Sequence, residues 1–196
     1  MSHLENILEF NQLLLEFRKI ERDIFINELK RNENNAEHSF QLALMSWYLN
    51  HSLKKNLDDT ALIQYSLIHD LIEIYAGDTP VYSKDQNLIN SKPLRESQAM
   101  QQLTKKLKDH SQIIKKIHSY QSKSTPESAF VYAVDKLLPL LNIFQDNGYA
   151  WKTHNLTIDI IQSTTLTKLE QFPEIENICK DLFQKLKERP DLFQPL

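Results

Sequence analysis

Two glycines, Gly77 and Gly148, are all that 196 residues contain. Average usage is about 7%, and tight β-turns lean on glycine because it takes positive φ without steric cost. Strands are therefore not expected. The apolar residues recur instead at helical spacing. Leu4, Ile7, Leu8, Leu14, Leu15 and Phe17 predict a first helix, and a second is expected from Ala36 to Leu53. Asp58 or Asp59 can cap a third, which Gly77 would close, with Pro80 enforcing the stop. Thr79 to Lys92 is polar and bordered by prolines, so it reads as a long loop over a site, with helices resuming near Pro93. Ser124-Thr125-Pro126-Glu127 combines a hydroxyl cap, an early proline and an early glutamate, and opens a helix carried by Val131, Val134, Leu137, Leu138 and Leu141. Gly148 ends that segment. Two more helices are expected after it, the last announced by Phe172-Pro173-Glu174 and carried by Ile175, Ile178, Leu182 and Leu186. The expected fold is all-α, a helical bundle in a single domain over 1–196, with its C-terminal helices over 150–188.

Composition narrows the function classes. The net charge of -3, with both signs interspersed, provides no basic field for nucleic acid. Lys105, Lys106, Lys108, Lys115 and Lys116 read as a solvated helix face. Charged residues break every apolar run short of a membrane span, and no leader-like segment opens the chain, so no membrane partner and a cytoplasmic location are expected. Cys179, the single cysteine, lies on the stripe Ile175, Ile178, Leu182, Leu186; a core role is expected, with neither disulfide nor thiol chemistry.

Chemistry is expected where ionisable residues interrupt apolar helical stripes. His69 shares its stripe with Leu62, Tyr65 and Ile72, and Asp70 shares the adjoining one with Ile63, Leu67 and Ile74. Side chains of adjacent helical residues diverge by about 100°, so these two can meet only at a point between their directions, which a metal ion can occupy. Asp135 lies between Val131 and Leu138 on a buried face, while Lys136 is expected to point elsewhere. A buried carboxylate must neutralise, pair or bind a cation. His38 precedes Leu42, Met45 and Leu49 on one helix face. Two imidazoles and two carboxylates suit one divalent transition metal such as cobalt, manganese, zinc, iron or nickel, rather than calcium.

The order His38, then His69-Asp70, then Asp135 on separate helices resembles the HD superfamily of metal-dependent phosphohydrolases. Three runs resemble the signatures of its HD-domain 5′-deoxynucleotidases: 31–39 around His38, His69-Asp70-Leu71-Ile72-Glu73-Ile74-Tyr75-Ala76-Gly77-Asp78-Thr79-Pro80, and 125–136 ending at Asp135-Lys136. The run Gly148-Tyr149-Ala150-Trp151-Lys152-Thr153-His154 is similar to a bacterial branch of the same family. The resemblance implies an HD-domain bundle with core signatures over about 20–145, and His38, His69, Asp70 and Asp135 as metal ligands. It implies Glu73 as the proton-transfer group and Asp78 as the residue positioning water or sugar at the rim. Arg22 resembles the family's substrate-contacting arginine, with its spacing to His38 shifted by one residue; Arg31 and Lys84 are further phosphate candidates. Where the deoxynucleotidases place a tryptophan after that arginine, this chain has Asp23.

The expected activity is hydrolysis of (deoxy)nucleoside 5′-monophosphates to nucleoside and phosphate. An HD-type phosphodiesterase, or a hydrolase of another small phosphate ester, is the alternative within the superfamily, with His110 and His118 as candidates for a second metal. A non-catalytic metal- or nucleotide-binding regulatory module is the alternative of another class. Leu4 to Phe17 would serve a homodimer as its contact face, or the core of a single chain.

Overall fold

Local capping fixes where most helices begin. The computed structural model describes residues 2–193. Helix α1 (His3–Phe17) opens on Ser2, whose hydroxyl accepts the Glu5 N–H while the Glu5 carboxylate accepts the Ser2 N–H. Asn34 and Glu37 form the same reciprocal pair at the start of α2 (Asn35–Ser52). Asp58 caps α3 (Asp59–Ile68), and a short α4 (Glu73–Ala76) follows, ending at Gly77 with φ 71°. Asp85 caps α5 (Gln86–Lys106), which precedes α6 (Ser111–Ser122). Thr125 caps α7 (Pro126–Gln145), with Pro126 in its first turn. The chain continues through α8 (Tyr149–Thr153), α9 (Ile158–Leu169) and α10 (Pro173–Lys187) to a 3₁₀ turn at Pro190–Phe193.

The architecture is helical as expected, with α7 packed against α2, α3, α6, α9 and α10. Val131, Val134, Leu137 and Leu138 of α7 share the main core with Leu42, Leu62, Trp151, Ile161, Leu169 and Ile175. Cys179 lies in that core with no exposed surface, and burial pushes its thiol up to about 12, so it is an inert packing residue. A second cluster joins Leu13 and Phe17 of α1 to Leu71, Leu103, Leu107 and Ile117. Among the described residues no helix is long and apolar enough to cross a membrane.

Several expectations are corrected. The chain does form strands: β1 (Glu21–Ile26) pairs antiparallel with β2 (Arg31–Asn34), with an irregularity between Glu21 and Phe25. Glycine scarcity does not forbid this hairpin because Lys30 takes φ 55° at its turn; Lys54, Asn56, Lys123, Asn147 and Asn155 likewise supply positive φ elsewhere. The third helix does not run unbroken to Gly77 but stops at Ile68. Helix α5 begins at Gln86 and carries Pro93 in its interior, because Asp85 accepts the Asn87 and Leu88 N–H groups and starts the helix early. Three helices rather than two follow Gly148, α8 being the addition. On α1 the buried positions are Leu13 and Phe17, whereas Leu4, Ile7 and Leu8 are exposed.

Gly148 is required where it stands. Its φ is 71°, and a Cβ there would lie 2.3 Å from the Leu192 carbonyl oxygen, so the 3₁₀ turn can seat against α8 only with glycine at that position.

Candidate metal centre

The break after α3 shapes the site. Residues 69–72 wind tightly, with the N–H of Leu71 on the Ile68 carbonyl at 3.1 Å and that of Glu73 on the Asp70 carbonyl at 2.9 Å. These i to i−3 bonds replace the α-helical pattern. The stripe expected for His69 holds, since Leu62, Tyr65 and Ile72 are all buried. The stripe expected for Asp70 does not, because Leu67 is exposed and the helix has ended. His38 comes from the first turn of α2 and Asp135 from the middle of α7, both buried as expected.

One ligand atom each from His38, His69 and Asp135 lies within 4.8 Å of the others, making the group that could hold a metal among the described residues. His38 Nε2 is 2.9 Å from Asp135 Oδ1, and the two imidazole rings are 5.3 Å apart. His69 Nδ1 lies 2.8 Å from the Ser66 carbonyl, which only accepts, so Nδ1 carries the donated proton and neutral His69 keeps its lone pair on Nε2. That Nε2 is buried without a hydrogen-bond partner, and it faces carboxylate oxygens of Asp70 at 2.9 Å and Asp135 at 3.7 Å. Lone pairs converging in a buried space call for a cation between them, and the nitrogen and oxygen donors fit a borderline divalent ion. Asp70 stands at the edge of this group, with Oδ2 bonded to Arg22 at 2.7 Å. His110 and His118 are exposed and lie outside the group.

A ring of buried polar side chains holds these groups. Glu33 of β2 lies 3.5 Å from both His38 Nδ1 and Arg22 Nε, two buried nitrogens without a well-formed hydrogen bond, so its carboxylate acts on them as a nearby charge. Asn35 donates from Nδ2 to Glu73 at 2.6 Å, and its Oδ1 lies 3.4 Å from the Arg22 guanidinium. Neither Glu33 nor Asn35 stood out in the sequence, where each reads as a polar residue before a helix. Lys136 does not point away: its ammonium turns back onto Asp135 Oδ2 at 2.5 Å, because α7 packs its neighbour inward and the long lysine stem can follow.

The charges in this ring shift one another. Burial opposes charging of His38, yet its bonds to Asp135 and Glu33 push the imidazole up to about 9. Burial also opposes ionisation of Asp135, but Lys136 and then His38 hold its carboxyl well below the usual range. Asp70 is likewise held low against burial by His69 and Arg22. Glu73 goes the other way: burial, then Asp70 and Asp78, push its carboxyl up to about 8. In chelator-treated protein the folded state therefore keeps a proton on Glu73 that the unfolded chain has released. The stability this lends is full below the ordinary value of 4.5 and is lost as pH rises through about 8. Thermal melts of that protein between pH 5 and 9 should show a smaller decline for Glu73→Gln than for the wild type; equal declines would show that Glu73 ionises freely.

A cleft of about 830 Å³, measured out to its open mouth, adjoins the centre. Arg22, Asp78, Asp135, Lys136 and Lys168 line its ionic part, and Ile24, Tyr82, Leu140, Ile143 and Trp151 line an apolar part. The run from Gly148 to His154 forms α8 and contributes Trp151 and His154 to this wall. Asp23 and His154 meet there at 3.0 Å. Glu73 is not among the lining residues and sits behind them on Asn35. Arg31 lies outside the lining and pairs with Glu37, and Lys84 is an exposed loop residue outside it as well. Lys136 and Lys168 are the lining cations that sequence reasoning missed. Lys136 followed a buried aspartate, and nothing in the pattern of α9 marks Lys168.

Residues 15–176 match the family model described as HD domain. A 5′-deoxynucleotidase, hdd1, of Schizosaccharomyces pombe (strain 972) is 24% identical over 163 residues, covering 80% of this chain and 78% of the relative. The crystal structure of a predicted metal-dependent phosphohydrolase from Magnetospirillum magnetotacticum MS-1 superposes with a TM-score of 0.83 at 26% identity, covering 99% of this chain and 97% of the other. With most of its length under the family model, the chain belongs to the HD-domain family.

Proposed function

We propose that this protein is a metal-dependent phosphohydrolase, and more narrowly a 5′-nucleotidase that releases phosphate from (deoxy)nucleoside 5′-monophosphates. The observation that carries this reading is the position of Asp135, which belongs both to the group able to hold a metal and to the wall of the cleft. Anything seated in the ionic part of the cleft thus lies against the metal centre. The likeness to a deoxynucleotidase and to a described phosphohydrolase supports the same reaction class.

In this reading His38, His69 and Asp135 hold the ion, with Asp70 completing the set from its Arg22-bound position. A divalent transition metal there supplies Lewis acidity to a phosphate oxygen and to water. The Ser66 carbonyl fixes the His69 ring through Nδ1, and Glu33 stands 3.5 Å from Nδ1 of His38. Arg22 presents its guanidinium to the cleft and offsets negative charge on the transferring phosphoryl group. Glu73, whose carboxyl is pushed up to about 8 by burial and then Asp70 before any ion is bound, serves as the group that passes a proton to the leaving oxygen. Asp78, on the cleft wall, positions water or sugar. The apolar part of the cleft suits a nucleobase, as ligand sites are mostly apolar with a few convergent polar groups. The exposed Leu4, Ile7 and Leu8 supply the contact face of a homodimer within the same reading.

The test is phosphate release by protein stripped of metal and reloaded with manganese, cobalt, zinc, iron or nickel. Ribo- and deoxyribonucleoside monophosphates, cyclic nucleotides and simple phosphodiesters are compared. Turnover of monophosphates at least about 100-fold above the diesters is expected, a discrimination of roughly 2.7 kcal/mol. Cleavage of diesters alone would assign a phosphodiesterase, and metal binding without any turnover would leave a regulatory module.

A further inference from the structure

Of the cations lining the cleft, Lys168 is the one that makes no ion pair among the described residues. Arg22 is paired with Asp70 and Glu33, Lys136 with Asp135, and His154 with Asp23. Lys168 stands half-buried on α9, and the charges that reach it are Lys136, Asp135 and Lys92, two of its own sign against one opposite. Burial first, and then Lys136, bring its ammonium down to about 8. A partly desolvated cation facing more positive than negative charge is unfavourable for the protein alone. An anion entering the cleft reverses that balance, because charge-assisted hydrogen bonds strengthen where water is displaced.

We propose that Lys168, acting with Lys136 in the same cleft lining, is a phosphate anchor: α9 grips the non-reacting oxygens of a phosphomonoester dianion while its phosphorus faces His38, His69 and Asp135. This deepens the phosphohydrolase reading and rests on it. It also accounts for the fold of Lys136. By turning back onto Asp135, Lys136 places positive charge between the metal centre and the cleft, next to where a phosphate must lie. Lys168 then supplies the second grip from a helix that carries none of His38, His69, Asp70 and Asp135, so it serves substrate retention rather than metal retention.

The test titrates inorganic phosphate into metal-loaded protein by calorimetry and measures phosphate as a competitive inhibitor in parallel. Lys168→Met and Lys168→Gln should weaken phosphate binding and raise KM by the same factor, roughly 10- to 100-fold, the range of one charge-assisted contact. Metal content should stay at the wild-type value and the melting temperature should not fall, because the neutral side chains relieve an unfavourable charge; most of the loss should fall on KM rather than kcat, as for an interaction made equally in ground and transition states. Lys168→Arg should restore most of the affinity. Wild-type phosphate affinity in the neutral variants would overturn the anchor even if the enzyme turns over monophosphates. Equal weakening in the arginine variant would also overturn it, by showing a packing effect. Conversely, Lys168-dependent phosphate binding in a protein that hydrolyses no monophosphate would leave the anchor standing and remove the nucleotidase reading.

Discussion

Glu73→Gln should lower kcat for phosphomonoester hydrolysis about 100- to 10,000-fold, the usual weight of a general acid or base, with metal content unchanged. Glutamine keeps the shape and can still accept the Asn35 amide through its oxygen, so the bond at 2.6 Å survives. What disappears is a group able to gain and lose a proton. Glu73 suits that task because burial and the neighbouring carboxylates place its ionisation near 8, where donor and acceptor forms are both accessible at physiological pH. Elemental analysis of the variant beside its steady-state kinetics decides the matter. An unchanged kcat with metal bound would move the proton transfer to Asp78, the carboxylate that lines the cleft directly.

Asp135→Ala should have the second large effect, because two systems depend on that carboxylate. As a ligand its loss should weaken metal binding at least about 100-fold and remove activity at the metal concentrations that saturate the wild type. As an ion-pair partner it neutralises Lys136 and accepts from His38. Removing one member of a buried pair costs about 3–5 kcal/mol. The Lys136 side chain is 26% exposed and can swing into the cleft, which places the expected cost at the low end, about 3 kcal/mol. Denaturant melts with chelator present separate the pairing loss from the metal loss. A variant that melts like the wild type under chelation would mean that Lys136 and His38 find other partners at no cost.

The helices were legible because their start signals are local. Asp58 and Thr125 cap within three residues of themselves, and Ser, Thr, Asp and Asn in that position carry their meaning in the sequence. The burial of His38, His69 and Asp135 was legible for a related reason, since each interrupts an apolar stripe whose period can be counted. The hairpin was not legible. Its turn uses an exposed Lys30 at positive φ, a conformation that glycine content does not reveal. The break at 69–72 was hidden too, because nothing in His69-Asp70-Leu71-Ile72 disfavours a helix; the tight turns are set by what those side chains meet in space. Asn35 and Lys168 acquire roles only from groups far along the chain, such as Glu73, 38 residues from Asn35, while Glu33 and Lys136 acquire theirs from where the fold turns their side chains. A single sequence without a fold contains no sign of such pairs.

The last turn of the described chain has a consequence for ligand choice. Trp151, wholly buried on the cleft wall, lies flat against Phe193 with ring centroids 5.3 Å apart and planes 12° from parallel. Leu192 closes the same corner over Gly148. The indole thus stands behind the cleft surface, backed by a segment remote from His38, His69 and Asp135. Trimming bulk at Phe193 should loosen the fit of the guest while the ion stays gripped, so molecular preference and chemical competence can drift apart through changes at opposite ends of one molecule.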